Sequence, residues 1–430
     1  MTDFTIVLRS LRLRFFSTVV TALLVATSAG LLLSILALRS AGKAAFERGS
    51  GNAHLLVSAD QSPLVAVLNG LFYANPPRAP LSRAKVAEIR SLFPWEFVVE
   101  TQLGDSYRGF PVLATTREFF TRFEPVVAQP WALSQGGFFE GNMQIVLGAA
   151  VARETGLRLG AKLVLTHGSG DSREHGEATN EHRGHEHREY EFEVVGILDA
   201  TGSPHDRALF ISLESSWILH AHDRREREGV EGKVVPADLL DEDRKITGML
   251  LRLPTRSGSS VSGALQQVFD TLRRDTSITV AQPADQIDKL FAIVSNIDGI
   301  FIALAVATLC SSAVAILLSM VNSMAERRRQ IAVLRVLGAS RARVFGIVLT
   351  EAMLIGFAGA TLGILLSAIA MSVATAWIRA SLGLIISPDF DARASILVAA
   401  GAVLLAALAG LVPATLAYRT SVAKQLRPLG

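Results

Sequence analysis

Four long stretches without charge decide most of what this chain can become. Residues 17–38, 299–324 and 394–418 carry no charged side chain, and residues 344–378 carry one, Glu351. At 1.5 Å per residue, about 20 apolar residues in a helix cross the ~30 Å hydrocarbon core of a bilayer. Helices buried in a soluble core are seldom so long and so uniformly apolar, so each stretch is read as a transmembrane helix. The mean hydropathy, +0.37, is too high for an ordinary soluble domain and too low for a chain that is all membrane. About 250 residues between the first and second stretches are left to fold in water, ample for one or two lobes.

The first apolar stretch follows Arg9, Arg12 and Arg14, as a signal sequence would. It exceeds the ~7–15 residues of a signal core and lacks a clean small-x-small site before a polar start, so an uncleaved signal anchor is expected. Basic residues then set the orientation. Arg9, Arg12 and Arg14 precede the first helix. Arg327, Arg328, Arg329, Arg335, Arg341 and Arg343 lie between the second and third, and Arg419, Lys424 and Arg427 follow the fourth. Four alternating helices put all three groups on one side, and the excess of Arg and Lys makes that side the cytoplasm. Residues 39–290 and the short turn 379–393 fall outside.

Several function classes are disfavoured early. Forty-two Lys and Arg against 39 Asp and Glu leave a net charge of +3, which implies no nucleic-acid partner. The one cysteine, Cys310, excludes an internal disulfide framework and a cysteine-based zinc finger. There is no Gly-x4-Gly-Lys-Ser/Thr phosphate loop. No nucleophile, base and orienting group stand in a recognisable pattern, so the chain itself is not expected to be an enzyme.

The outer region reads as α+β. Apolar alternation at Phe97-Val-Val-Glu-Thr, Gln144-Ile-Val-Leu, Lys162-Leu-Val-Leu-Thr, Tyr190-Glu-Phe-Glu-Val-Val-Gly-Ile-Leu and Ala208-Leu-Phe-Ile-Ser predicts strands. Helices are predicted at 82–91, 148–155 and 261–275, the last with Val261, Leu265, Val268 and Leu272 on one face. Dense charge of both signs over 223–245 reads as an exposed linker or surface excursion between two lobes. Between two strand signals lies a His-rich tip, 167–189, carrying His167, His175, His182, His185 and His187 among Asp171, Glu174, Glu177, Glu181 and Glu186. The pattern fits a solvated polar hairpin tip, or weak capture of a borderline metal such as Zn2+ by imidazole and carboxylate. His205, His220 and His222 could join such a site, but each alone is read as a surface residue.

Residues 321–366 describe a helix leaving the membrane, a short amphipathic cytoplasmic helix, a break at Gly338 and re-entry. Ile331, Leu334 and Leu337 would line one face of the short helix, with Arg327, Arg328 and Arg335 around it, a form suited to docking in a protein groove. A plain basic loop would explain the arginines but not the apolar stripe. Within the third helix, Gly356, Gly359 and Gly363 recur at helical spacing and predict a close packing seam. Glu351 is expected to be neutralised structurally by a basic residue near Arg341 or Arg343. Asp298 is placed at the water interface.

The stretch Glu326-Arg-Arg-Arg-Gln-Ile-Ala-Val-Leu-Arg-Val-Leu-Gly-Ala-Ser closely resembles the signature of FtsX-like permeases, the membrane subunits of MacB/LolC-type (type VII) ABC transporters. Leu8-Arg-Ser-Leu-Arg-Leu-Arg-Phe is similar to that family's amphipathic lead-in helix, and Pro413-Ala-Thr-Leu-Ala-Tyr-Arg to its closing element. Gly137-Phe-Phe-Glu, Val146-Leu-Gly-Ala-Ala-Val-Ala, Gly156-Leu-Arg-Leu-Gly-Ala and Phe192-Glu-Val-Val-Gly-Ile-Leu resemble the MacB-like periplasmic core domain.

The resemblance implies an inner-membrane protein with cytoplasmic termini. Its parts would be a lead-in helix at 1–16, a first membrane helix at 17–38 and a periplasmic core domain at 39–285. A stalk and second membrane helix would fill 286–324, and a cytoplasmic coupling helix 325–343. The third helix at 344–378, a short periplasmic turn at 379–393, the fourth helix at 394–418 and a tail at 419–430 complete it. It further implies two permease copies, a homodimer being expected, and a separate ABC ATPase that holds ATP and Mg2+ and docks on Glu326, Arg327, Arg328, Arg329, Ile331, Leu334, Arg335, Gly338 and Ala339. Movement of the periplasmic domains would push a peptide, a lipoprotein or another substrate outward. No cofactor is expected in this chain beyond weak zinc at the His-rich tip. The alternatives are a mechanotransmitter controlling a periplasmic hydrolase, as the division protein FtsX itself does, and a metal-linked sensor or transporter using the tip. The large outer domain argues against the first.

Overall fold

The structure is a computed structural model that describes residues 3–75, 79–167, 189–230, 232–382 and 391–419, with the backbone alone at 295–298, 325–329 and 379–382. The chain opens with helices α1 (Asp3–Leu13) and α2 (Phe15–Gly49). There follow β1 (Leu55–Ser58), α3 (Pro63–Gly70), α4 (Arg83–Leu92), β2 (Phe97–Tyr107), β3 (Phe110–Thr115) and α5 (Glu118–Thr121). Next come β4 (Leu133–Gly136), β5 (Gln144–Leu147), α6 (Ala149–Thr155), β6 (Lys162–Leu163), β7 (Thr166–His167), β8 (Phe192–Leu198), β9 (Leu209–Ser212) and α7 (Leu213–Arg227). The remainder is β10 (Gly248–Arg252), α8 (Leu265–Leu272), β11 (Thr279–Ala281), α9 (Pro283–Val336), α10 (Arg341–Leu382) and α11 (Ala392–Arg419). Four of these helices, α2, α9, α10 and α11, are long and apolar enough to cross a membrane. The chain divides into two compact units, a helical one built from residues up to Gly42, 293–377 and 391–419, and a sheet-bearing one from Lys43 to Ala292.

The sheet-bearing unit is organised on one mixed sheet in the order β11-β1-β10-β2-β3-β9-β5-β8-β4, with β6 added to β8 and β7 to β2. Most pairs are antiparallel, while β3 with β9 and β5 with β8 are parallel. Both faces are covered. Successive strand residues point to opposite sides, so Leu55, Val57, Val98, Val112, Ile145 and Ile211 enter one apolar layer. Leu56, Val99, Leu113, Val146, Phe210 and Leu250 enter the other, with the aromatic cluster Phe119, Phe120, Phe123 and Trp131. Helices start where the sequence supplies caps: Ser62, Ser82 and Ser212 accept from backbone amides of the first turns of α3, α4 and α7.

Two expectations for this unit change. The charge-dense segment is not a linker between lobes, because 43–292 form one unit and α7 continues to Arg227. Part of its charge is paired within the unit: Arg224 makes two hydrogen bonds to the buried Asp243, at 2.9 and 3.0 Å, and Arg225 pairs with Asp238. The helix expected over 261–275 begins only at Leu265, leaving Val261 exposed. The Ser- and Gly-rich stretch before it is a poor helix former, and the Ser260 carbonyl is hydrogen-bonded to His54 instead.

In the helical unit, small residues sit where helices cross. A Cβ at Gly359 would fall 2.6 Å from Val25 Cβ, and one at Gly363 would fall 2.9 Å from Ala26 O and Ala29 Cβ. Both glycines therefore face α2. Gly356 faces α11, 2.5 Å from Ala406 Cβ by the same construction. Hydroxyl pairs join α2 to its neighbours: Ser28 with Ser312 on α9 at 3.0 Å, and Ser34 with Ser367 on α10 at 3.1 Å. Close small-residue contacts and inter-helix hydroxyl bonds are the means by which helices associate in lipid, where the solvent is as apolar as leucine. Leu31, Leu304, Phe357, Ile369, Leu397 and Leu404 are exposed outside these seams, as a lipid-facing surface requires.

Candidate functional site

The local sequence explains the turn between α9 and α10. The last turn of α9 closes with Gly338 N–H donating to Arg335 O at 3.1 Å and Ala339 N–H to Leu334 O at 3.0 Å. Gly338 has φ +96°, the left-handed conformation such a close needs and the reason glycine stands there. Two residues later the Ser340 hydroxyl accepts from Arg343 N–H at 3.2 Å and starts α10. Leu-Gly-Ala-Ser is thus a stop signal followed at once by a start signal.

Residues 325–336 continue α9 without a break, and that continuity decides which side chains face out. Leu309, Ile316, Met320, Met324 and Ile331 follow one another at steps of four and seven residues and share one buried face. Ile331 is therefore part of the helical core and only 5% exposed. Leu334, Arg335 and Ala339 are half-buried, and the side chains of Glu326, Arg327, Arg328 and Arg329 lie outside the described residues. The outward surface is made by Val333, Val336 and Leu337, the last two 62% and 78% exposed. Val333 and Val336 are not among the residues the sequence pointed to; the signal is the helical spacing of Val333, three residues before Val336 and four before Leu337.

Beside this surface a groove of about 630 Å3 runs between α1, the end of α9 and the start of α10, lined by Ile6, Leu13, Leu334, Leu337, Val344 and Ile347. Arg343 bridges its rim to α1 through Asp3 Oδ1 at 2.6 Å, and Arg341 lies over the Tyr418 ring. Glu351 is 3% exposed and accepts a hydrogen bond from Ser10 on α1 at 3.0 Å.

The histidines separate into distinct settings. His175, His182, His185 and His187 lie outside the described residues. His167 belongs to the sheet: the strand signal at 162–166 divides into β6, paired with β8, and β7, paired with β2. Asp105 is the cross-strand partner of His167, and its Oδ1 lies 3.0 Å from His167 Nδ1. That hydrogen bond raises the His167 pKa above its ordinary value, against the effect of burial. His220 on α7 approaches the other oxygen of the same carboxylate, with Nε2 3.9 Å from Asp105 Oδ2. His222, next along α7, instead bonds Glu189 at 2.8 Å and packs its ring on Tyr190. His205 is not a surface residue. It is 1% exposed among Phe119, Phe123 and Trp131, hydrogen-bonded to the Tyr73 hydroxyl, and burial lowers its pKa to about 3.

The comparisons with known proteins fall on these two units. The MacB-like periplasmic core domain family matches residues 18–281, and the FtsX-like permease C-terminal family matches residues 301–422. This chain belongs to the FtsX-like permeases with a MacB-like periplasmic core domain. It is accordingly an ABC-transporter permease subunit with membrane-spanning helices, from a family of inner-membrane permeases. The C-terminal match takes in the apolar part of α9, the Gly338 turn, α10 and α11. Among solved structures, the chain is similar to the extracellular domain of the noncanonic ABC-type transporter YknZ from Gram-positive bacteria. That likeness has 10% identity and a TM-score of 0.27, over 53% of this chain and 98% of the other. No curated protein sequence matches the chain.

Proposed function

We propose that this permease is the mechanical element of an exporter or extruder, driven by a separate ATPase subunit that docks on the turn after α9. The observation that carries this reading is the pair Val336 and Leu337, 62% and 78% exposed at a turn fixed on both sides by hydrogen-bonded caps. Bare apolar side chains on a rigid helix end are suited to insertion into a groove of a partner protein. With basic residues flanking the same turn, positive-inside asymmetry puts it, and both termini, in the cytoplasm where an ATPase is found. ATP and Mg2+ belong to that partner, which carries out the hydrolysis.

The groove between α1 and the end of α9 gives the docked subunit a second grip. A displacement there has an uninterrupted hydrogen-bonded path, since α9 is one helix of 54 residues. A second permease copy, a homodimer in the simplest case, completes the transporter. The cargo is a peptide, a lipoprotein or another molecule moved outward by the periplasmic domain.

The test is affinity purification of the tagged full chain in mild detergent from its native host. Two permease copies with two ATPase subunits are expected. Val336→Asp with Leu337→Asp, both at exposed positions, should abolish recovery of the ATPase while leaving the melting temperature of the permease unchanged. A doubly substituted chain that still carries its ATPase and stimulates it normally sinks the docking assignment. Recovery of a periplasmic hydrolase in place of an exported cargo would favour the mechanotransmitter.

A further inference from the structure

The sheet-bearing unit contains a constellation that the coupling mechanism does not use. Strand β2 is irregular at Gly104, where its register against β3 shifts between Leu103 and Asp105. Bulges of this kind re-aim the next side chain. Asp105 is directed inward, with its side chain only 4% exposed. It holds one oxygen to His167 on β7 at 3.0 Å and turns the other to His220 on α7 at 3.9 Å. The two imidazoles meet edge to face with centroids 5.1 Å apart. One nitrogen or oxygen from each of the three residues falls within 4.8 Å of the others.

We propose that Asp105, His167 and His220 form a binding site for a divalent transition-metal cation, with Zn2+ the best fit. Two imidazoles converge on one buried carboxylate, one at each oxygen. A cation seated there takes one ligand atom from each of the three side chains. Imidazole nitrogen and carboxylate oxygen are the ligands Zn2+ takes at about 2.0–2.1 Å, which puts donors about 3.3 Å apart around a tetrahedron. Separations of 3.0 to 4.8 Å reach that by swivelling two partly exposed rings about a fixed carboxylate.

A cavity of about 550 Å3 opens beside the rings, lined by His167, His220, Asp223 and Glu226. Arg224 also lines it, but its charge is met by Asp243 and Glu228. Three protein ligands beside this cavity leave a fourth position for water, the pattern of a site that exchanges its ion and not of a closed structural one. The assignment rests on the geometry of the sheet-bearing unit and does not require the ATPase docking above.

The test uses the full chain in detergent and ZnCl2, with affinity read by competition against a chromophoric chelator and geometry by the visible spectrum of added Co2+. Replacing His175, His182, His185 and His187 by Ala removes the neighbouring imidazoles. The resulting chain should still bind one Zn2+. Adding His220→Ala should weaken that binding at least about tenfold, as should Asp105→Asn, with metal-free melting temperatures of the His220→Ala chain unchanged. The proposal is overturned if the four-alanine chain binds no Zn2+, or if it binds equally tightly with and without His220→Ala and Asp105→Asn.

Discussion

The buried His205 makes a quantitative claim about acid stability. It sits among aromatic rings with its Nδ1 on the Tyr73 hydroxyl, and its buried Nε2 has no hydrogen-bond partner among the described residues. Burial lowers its pKa from 6.5 to about 3, so the fold holds the neutral ring. The sign follows from which state binds protons. Above about pH 6.5 both folded and unfolded chains carry neutral His205 and its contribution is complete. As the pH falls below that value the unfolded chain takes up a proton that the folded chain refuses, and stability is lost until the folded ring titrates near pH 3. At pH 5.0 the loss is about 2 kcal/mol, 1.5 units at about 1.4 kcal/mol each. For a unit of this size that is about 4–8 °C in melting temperature.

The assay is thermal unfolding of the full chain in detergent at pH 7.5 and 5.0, followed by tryptophan fluorescence, since Trp131 lies 5.5 Å from His205, ring to ring. The comparison is His205→Asn, which keeps an acceptor for Tyr73 but cannot titrate. Other titrating groups are common to both chains, so the difference between their pH responses isolates His205. The wild type should lose about 2 kcal/mol more than the variant between the two pH values. Equal pH responses would refute the buried neutral histidine, and a larger loss in the variant would reverse its sign.

Two further outcomes follow from packing. Gly363→Leu should destabilise the helical unit by about 1–3 kcal/mol, because atoms of α2 stand 2.9 Å from where its Cβ would go. Gly401→Leu, at a position with nothing within 4 Å, serves as the control, and equal melting temperatures of the two would remove the seam. Arg224→Ala leaves the carboxylate of Asp243, 4% exposed, without its cation and should cost about 2 kcal/mol by denaturant unfolding. Burial disfavours that carboxylate, yet Arg224 and the Leu240 amide outweigh it and hold its pKa below the ordinary value. The deficit should therefore shrink as acid protonates Asp243, and a deficit independent of pH would contradict the pairing.

What the sequence disclosed, and what it hid, follows from the range of the interactions involved. The four apolar helices were legible because their signal is composition over 20 or more residues. The turn after α9 was legible because its hydrogen bonds reach no further than five residues, and Gly338 and Ser340 name it. Strands β2, β5, β8 and β9 showed partial alternation. β1 and β10 did not, because Leu55-Leu-Val and Met249-Leu-Leu are buried on both faces and present a continuous apolar run. The end of α7 reads as linker because its apolar face, Leu213, Ile218, Leu219 and Ala221, ends where the dense charge begins. Its pairing depends on Asp238 and Asp243, later in the chain.

The same distinction separates the two candidate sites. The candidate docking surface is a local feature, and the burial of Ile331 follows from helix phase: a free-standing helix at 325–343 would show Ile331 with Leu334 and Leu337. A continuation of α9 instead carries forward the buried stripe of Met320 and Met324, and rotates Val333, Val336 and Leu337 outward. The His–carboxylate constellation is wholly non-local. Asp105, His167 and His220 are separated by more than fifty residues at each step, and a bulge, a two-residue strand and the middle of a helix are needed to bring them together. The density of histidine over 167–187 marks the segment as a whole. Its composition does not single out His167, whose partner across the sheet is Asp105. A run of similar residues advertises a chemistry, whereas only the fold selects which member of the run has a fixed carboxylate facing it.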